Sequence, residues 1–178
     1  MMSITYIFWM YVILFAFIGW MRGWAKELLV SFSVILSLAL NHVIRKYVPL
    51  AQPDNLAETD PSLFWVRTII LLVLVYFGYQ TVISIQHLAA RARSERLQDT
   101  LFGAFLGGLN GYLVAGSVLY YVHIADYSFQ QVILKPTDPT LLERVNQMML
   151  YMPPQILGEP GIYFAVILAM VFVLVVYI

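Results

Sequence analysis

Residues 4–46 read ITYIFWMYVILFAFIGWM (4–21), RGWAKE (22–27), LLVSFSVILSLALNHVI (28–44) and then Arg45-Lys46. This stretch decides the fold. Two uncharged runs are separated by a six-residue break that holds two basic residues and one acid. An α-helix rises 1.5 Å per residue, so the first run alone reaches about 27 Å, close to the hydrocarbon thickness of a bilayer. The pattern is a helical hairpin across a membrane. A cleaved leader is a poorer reading, because no Lys or Arg precedes Arg22 and no Ala-x-Ala site precedes the break.

The rest of the chain repeats this alternation. Asp60-Pro61 has the form of an N-cap followed by proline at the first helical position, so a third helix starts there and runs to about Ala90. Arg67, less than two turns in, can snorkel back to the interface. The basic segment Arg91-Ala92-Arg93-Ser94-Glu95-Arg96 follows, and Asp99-Thr100 opens a fourth helix that runs uncharged to Ala125. Residues 126–160 form the only long polar insert, and Gly161–Ile178 is a fifth apolar span. Inside the insert, Leu141, Leu142, Val145, Met148, Met149 and Met152 recur at helical spacing opposite Glu143, Arg144, Asn146 and Gln147. The spacing predicts a short amphipathic helix over 140–151 lying in the membrane interface with Leu141, Val145 and Met148 buried. The expected architecture is therefore all-α and integral to the membrane. It has about five transmembrane helices: a core over 1–125, an insert over 126–160 and a C-terminal helix over 161–178.

Composition agrees. Of 178 residues, 61% are apolar and 11% charged, against about 45–50% and about 25% for soluble domains. Ten basic residues balance ten acidic ones, which argues against a nucleic-acid partner. The absence of cysteine removes disulfides and thiolate chemistry. Basic loop residues divide five and five between the two sides. Arg22, Lys26, Arg91, Arg93 and Arg96 lie in short turns, where the positive-inside rule acts best. That places these turns in the cytoplasm and the N-terminus outside, and pairs Glu27 with Arg91, Arg93 or Arg96.

Gly103, Gly107, Gly111 and Ala115 follow at four-residue steps on the fourth helix, broadened by Gly108 and Gly116. Small residues let helix backbones approach in lipid. The spacing leaves open whether the partner helix belongs to this chain or to another. A weak parallel repeat of the hairpins 4–46 and 63–125 is equally open to coincidence.

The turn motif Gly19, Arg22, Gly23 and Glu27, followed by Asp99-Thr-Leu-Phe-Gly103-Ala-Phe-Leu-Gly107-Gly-Leu-Asn-Gly111, resembles the colicin V production protein (CvpA) family over about residues 4–125. The resemblance implies a bacterial inner-membrane protein linked to colicin export and envelope upkeep, with no known reaction. The insert and the last helix extend beyond a four-helix core of that kind.

Enzyme signatures are absent: there is no His-Glu-x-x-His, Gly-x-Ser-x-Gly or P-loop. Every Asp and Glu falls in a loop or at a helix end, which speaks against an intramembrane protease or ion carrier. His42 and His123 are candidate haem or pigment ligands, although interfacial hydrogen bonds account for helix-end histidines equally well. No cofactor is expected, and a bound lipid or pigment could still be accommodated. The expected role is a non-catalytic accessory subunit of a larger membrane assembly, such as a respiratory or photosynthetic complex, in contact with lipid and other membrane proteins. The alternative is a stand-alone or homo-oligomeric CvpA-like factor for bacteriocin export or envelope maintenance.

Overall fold

The computed structural model describes residues 4–80, 96–128 and 138–177. Its helices are α1 (Ile4–Arg22), α2 (Trp24–Tyr47), α3 (Pro61–Gln80), α4 (Arg96–Ile124), α5 (Pro139–Met149), α6 (Pro153–Ile156) and α7 (Gly161–Tyr177), with a short 3-10 turn at Pro49–Ala51. The first four are long and apolar enough to cross a membrane; α7 is a shorter apolar helix. The described residues contain no strand.

α2 and α4 form the centre. α1 runs antiparallel along α4, while α3 and α7 pack against α2. Between them lies an apolar core of Val30, Val34 and Leu38 from α2, Leu71 and Val75 from α3, and Leu113, Val114 and Val122 from α4. Outward faces carry large apolar side chains, among them Ile13, Phe77, Phe105 and Phe164. In water such a surface would aggregate; facing lipid, it costs nothing.

Two boundaries differ from the sequence reading. α4 is already helical at Arg96, the first described residue after Gln80, so Asp99 lies within the helix rather than opening it, and its carboxylate is engaged with α2. The amphipathic helix spans Pro139–Met149 with Asp138 capping it, its carboxylate accepting from the Thr140 N–H at 2.9 Å. Its buried face is also rotated. Val145 and Met149 are buried and Met148 is half-buried, but Leu141 is 42% exposed. Packing against Phe8, Val12, Ala115 and Leu119 fixes the rotation, and helical periodicity alone does not carry that information. The continuation of α3 toward Ala90 lies outside the described residues.

α7 sits on α2 through Ile162 and Ala169, with Ala165 half-buried between them. Phe164, Ile167, Leu168 and Val175 turn outward. A polar clasp fixes its start. Glu159 accepts from Lys46 at 2.6 Å and from Tyr163 at 2.6 Å, and meets His42 at 3.0 Å. These donors hold its carboxyl well below the usual range, at about 2, with the Lys46 bond the largest cause.

Candidate functional site

The site starts from glycines. A Cβ placed on Gly107 would lie 2.8 Å from the Gly19 Cα and would collide with the Phe15 carbonyl. One placed on Gly111 would lie 2.7 Å from the Phe15 Cβ. Gly19 and Gly103 meet backbone to backbone in the same way. The glycine face of α4 is therefore filled by α1 of this same chain, with the two backbones in contact. Gly108 borders that contact, since its Cβ would meet the Ala16 Cβ at an ordinary 3.5 Å. Gly116 faces elsewhere, toward Met152 and Pro153, and Ala115 joins the Phe8–Val145–Met149 cluster.

The α1–α2 turn is equally specified. Gly23 has φ +84°, in the left-handed region that side chains avoid. Having no side chain, it cannot cap α2. Asp99 supplies the cap from α4, accepting from the Trp24 N–H at 3.2 Å. A Cβ on Gly23 would lie 2.9 Å from both Asp99 carboxylate oxygens.

One turn further, four helices converge on a single carboxylate. Glu27 is 0% exposed. Its Oε1 accepts from Arg22 Nη1 at 3.0 Å. Its Oε2 accepts from Asn110 Nδ2 at 2.9 Å and from the Tyr79 hydroxyl at 3.4 Å. Asn110, also 0% exposed, donates to the Glu27 carbonyl at 2.9 Å, and its Oδ1 accepts from the Ser31 hydroxyl at 2.7 Å. Arg22 in turn donates to the Tyr79 carbonyl at 3.1 Å and lies 4.3 Å over that ring. A charge in a low-dielectric interior is tolerated only when paired and hydrogen-bonded. Here α1 contributes Arg22, α2 Glu27 and Ser31, α3 Tyr79 and α4 Asn110. Since α4 runs from residue 96 to residue 124, Asn110 stands at its midpoint.

The turn-motif residues Gly19, Arg22, Gly23, Glu27 and Asp99 thus come together. The partners expected for Glu27, Arg91 and Arg93, lie outside the described residues, as does the Arg96 side chain. Sequence reasoning missed Asn110, Tyr79 and Ser31. An isolated asparagine in an apolar helix was the available signal, because a buried amide requires a partner.

At the other end of the bundle, Glu58 bridges Arg45 and Arg67 at 2.7 and 2.8 Å. Partial burial pushes the Glu58 carboxyl up, but the Arg67 and Arg45 guanidiniums outweigh it and hold it below its ordinary value. Arg67 thus reaches back to the loop. Between the two ends, Ser37 Oγ, Asn41 Oδ1 and Thr68 Oγ1 are buried without a hydrogen-bond partner. Asn41 Nδ2 makes two long bonds, to the Arg67 carbonyl at 3.4 Å and the Tyr121 hydroxyl at 3.3 Å. His42 meets Glu159, and His123 Nδ1 lies 3.3 Å from the Tyr127 hydroxyl. Among the described residues no cluster of three His, Asp or Glu side chains is arranged to hold a metal.

The family model described as colicin V production protein matches residues 4–137, and the chain belongs to that family. The match covers the glycine contact, the capped turn and the Glu27 knot. No curated protein and no solved structure matches the chain.

Proposed function

We propose that this member of the colicin V production family is a non-catalytic factor of the bacterial inner membrane. It serves bacteriocin export or envelope maintenance, alone or as a homo-oligomer, and needs no cofactor. One observation carries the reading: the glycine face of α4, which could have docked a foreign helix, is occupied by α1 within the family-matched core. That removes one of the features that favoured an accessory subunit of a respiratory or photosynthetic complex. With Arg22 and Lys26 flanking the short α1–α2 turn at Gly23, we place that turn in the cytoplasm and the N-terminus outside.

The test is genetic. Disrupting the gene in its host should raise sensitivity to detergents and bile salts, or lower bacteriocin export. Wild-type protein should restore the phenotype and Gly107→Val should not. An unchanged envelope and unchanged export would count against the proposal.

The outward apolar face of α7 keeps the accessory-subunit reading as a second possibility. Removing residues 126–178 should leave α1 to α4 inserted. If that truncation abolishes co-purification of a stoichiometric membrane partner, the second reading leads.

A further inference from the structure

α5, the turn after it and α6 lie beyond the family-matched residues 4–137, and they form a hairpin whose position is fixed by three contacts. The Tyr112 hydroxyl donates to the Tyr151 carbonyl. A Cβ on Gly116 would stand 2.7 Å from Pro153 Cδ. Tyr120 donates to Gln155 Oε1 at 2.7 Å. The chain therefore climbs along α4 from Tyr112 at the hairpin tip toward Glu159, which is clasped at the charged end of α2.

α1 gives the depth of the tip. Met149 and Met152 pack with Phe8 and Val12, and Phe8 meets Tyr112 with ring centroids 6.2 Å apart. At 1.5 Å per residue, Phe8 and Val12 lie about 6 Å and about 12 Å inside the start of α1. Since α1 is uncharged from Ile4 to Met21, its length marks out the apolar layer. The tip stands inside that layer rather than above it. Around it Leu150 is 62% exposed, Tyr151 70% and Ile156 56%.

The backbone gives independent support. Irregular chain inside a bilayer must satisfy its own polar groups, because no water is available to do so. The N–H groups of Leu150, Tyr151 and Met152 donate to the carbonyls of Gln147, Met148 and Met149. Pro153 and Pro154 have no N–H. Gln155 and Ile156 donate to Met152, and Leu157 to Pro153. Every backbone donor from 150 to 157 is either paired or absent.

We propose that α5, its turn and α6 form a re-entrant hairpin, with Leu150, Tyr151 and Ile156 seated against lipid acyl chains. The chain has no cysteine, so single nitroxide labels report position directly. Leu150→Cys, Tyr151→Cys and Ile156→Cys of the full-length protein would be spin-labelled in phosphatidylethanolamine–phosphatidylglycerol vesicles. Collision with oxygen and with a water-soluble nickel chelate would then be compared. Ile13→Cys on the outer face of α1 and Asp54→Cys in the α2–α3 loop serve as the lipid and water references. The proposal expects oxygen-to-nickel ratios severalfold above position 54 and near position 13. Ratios matching position 54 would put the tip in water and overturn it. Suppression of both collisions would mean that protein covers the tip, and overturns it equally. Ile156→Cys, on the far side of the turn, gives the reading if a tip variant fails to reconstitute.

Discussion

Replacing Asn110 with leucine keeps the branched side-chain skeleton and removes three hydrogen bonds, and the structure sets the size of the loss. One bond goes to a charged acceptor, Glu27 Oε2, and two are neutral, to the Glu27 carbonyl and from Ser31. A bond to a charged group contributes about 1.5–3 kcal/mol and a neutral one about 1 kcal/mol, which bounds the total near 5 kcal/mol. Interhelical hydrogen bonds measured within membranes average about 0.6 kcal/mol, which sets a floor near 2 kcal/mol. Glu27 keeps Arg22 and Tyr79, so the larger cost of a wholly unpaired buried charge does not arise. Asn110→Leu should therefore lose about 2–5 kcal/mol of unfolding free energy, measured by denaturant titration in mixed micelles. Asn41→Leu is the matched control. Asn41 makes only two long bonds and leaves its Oδ1 unpartnered, so its replacement should cost at most about 1 kcal/mol. Equal losses for the two variants, or an Asn110→Leu loss below about 0.5 kcal/mol, would refute the reasoning.

Gly107→Val should cost at least about 3 kcal/mol, the upper part of the overpacking range, because backbone rather than side chain blocks the new Cβ; Gly108→Ala, read in the same titration, should fall within about 0.5 kcal/mol of wild type. Asp99→Ala removes the cap of α2 and should lower stability by about 1 kcal/mol, with faster amide exchange at Trp24 as the local readout. Glu159 has its carboxyl depressed from 4.5 to about 2, so its contribution is complete above pH 4.5 and is lost as pH falls toward 2. The melting-temperature advantage of wild type over Glu159→Gln should accordingly be flat above about pH 5 and shrink at lower pH; an advantage that grows on acidification would contradict the clasp.

The spans were legible because an uncharged apolar run long enough to cross a bilayer has few alternative fates, and Ile4–Met21 and Leu28–Ile44 are such runs. The glycine stripe was legible as a contact surface, but its occupant was not. Four-residue spacing states that a backbone will come close without stating whose. The Glu27 knot was half legible. Arg22, Gly23, Glu27 and Asp99 announce themselves by charge and turn chemistry. Asn110 lies 83 positions from Glu27, and their meeting depends on the register of α2 against α4, to which the Asp99–Trp24 bond contributes and which no local pattern states. The rotation of α5 was misjudged for a related reason. Leu141 and Met149 both belong to one broad apolar face, and only the position of Phe8 and Leu119 selects the buried edge.

The central claim, that α4 spends its glycine face on α1 of the same chain, is most directly tested by one engineered disulfide. A Cβ on Gly108 would stand 3.5 Å from the Ala16 Cβ, at the short end of the ~3.5–4.5 Å separation that disulfides require. In the cysteine-free chain, Ala16→Cys with Gly108→Cys should oxidise within native membranes to a monomeric species. With a protease site placed between Asp54 and Asn55, its two fragments should stay joined until reduction. Fragments that separate without reductant, or a disulfide-linked dimer, would show that the glycine face belongs to another chain and contradict the account.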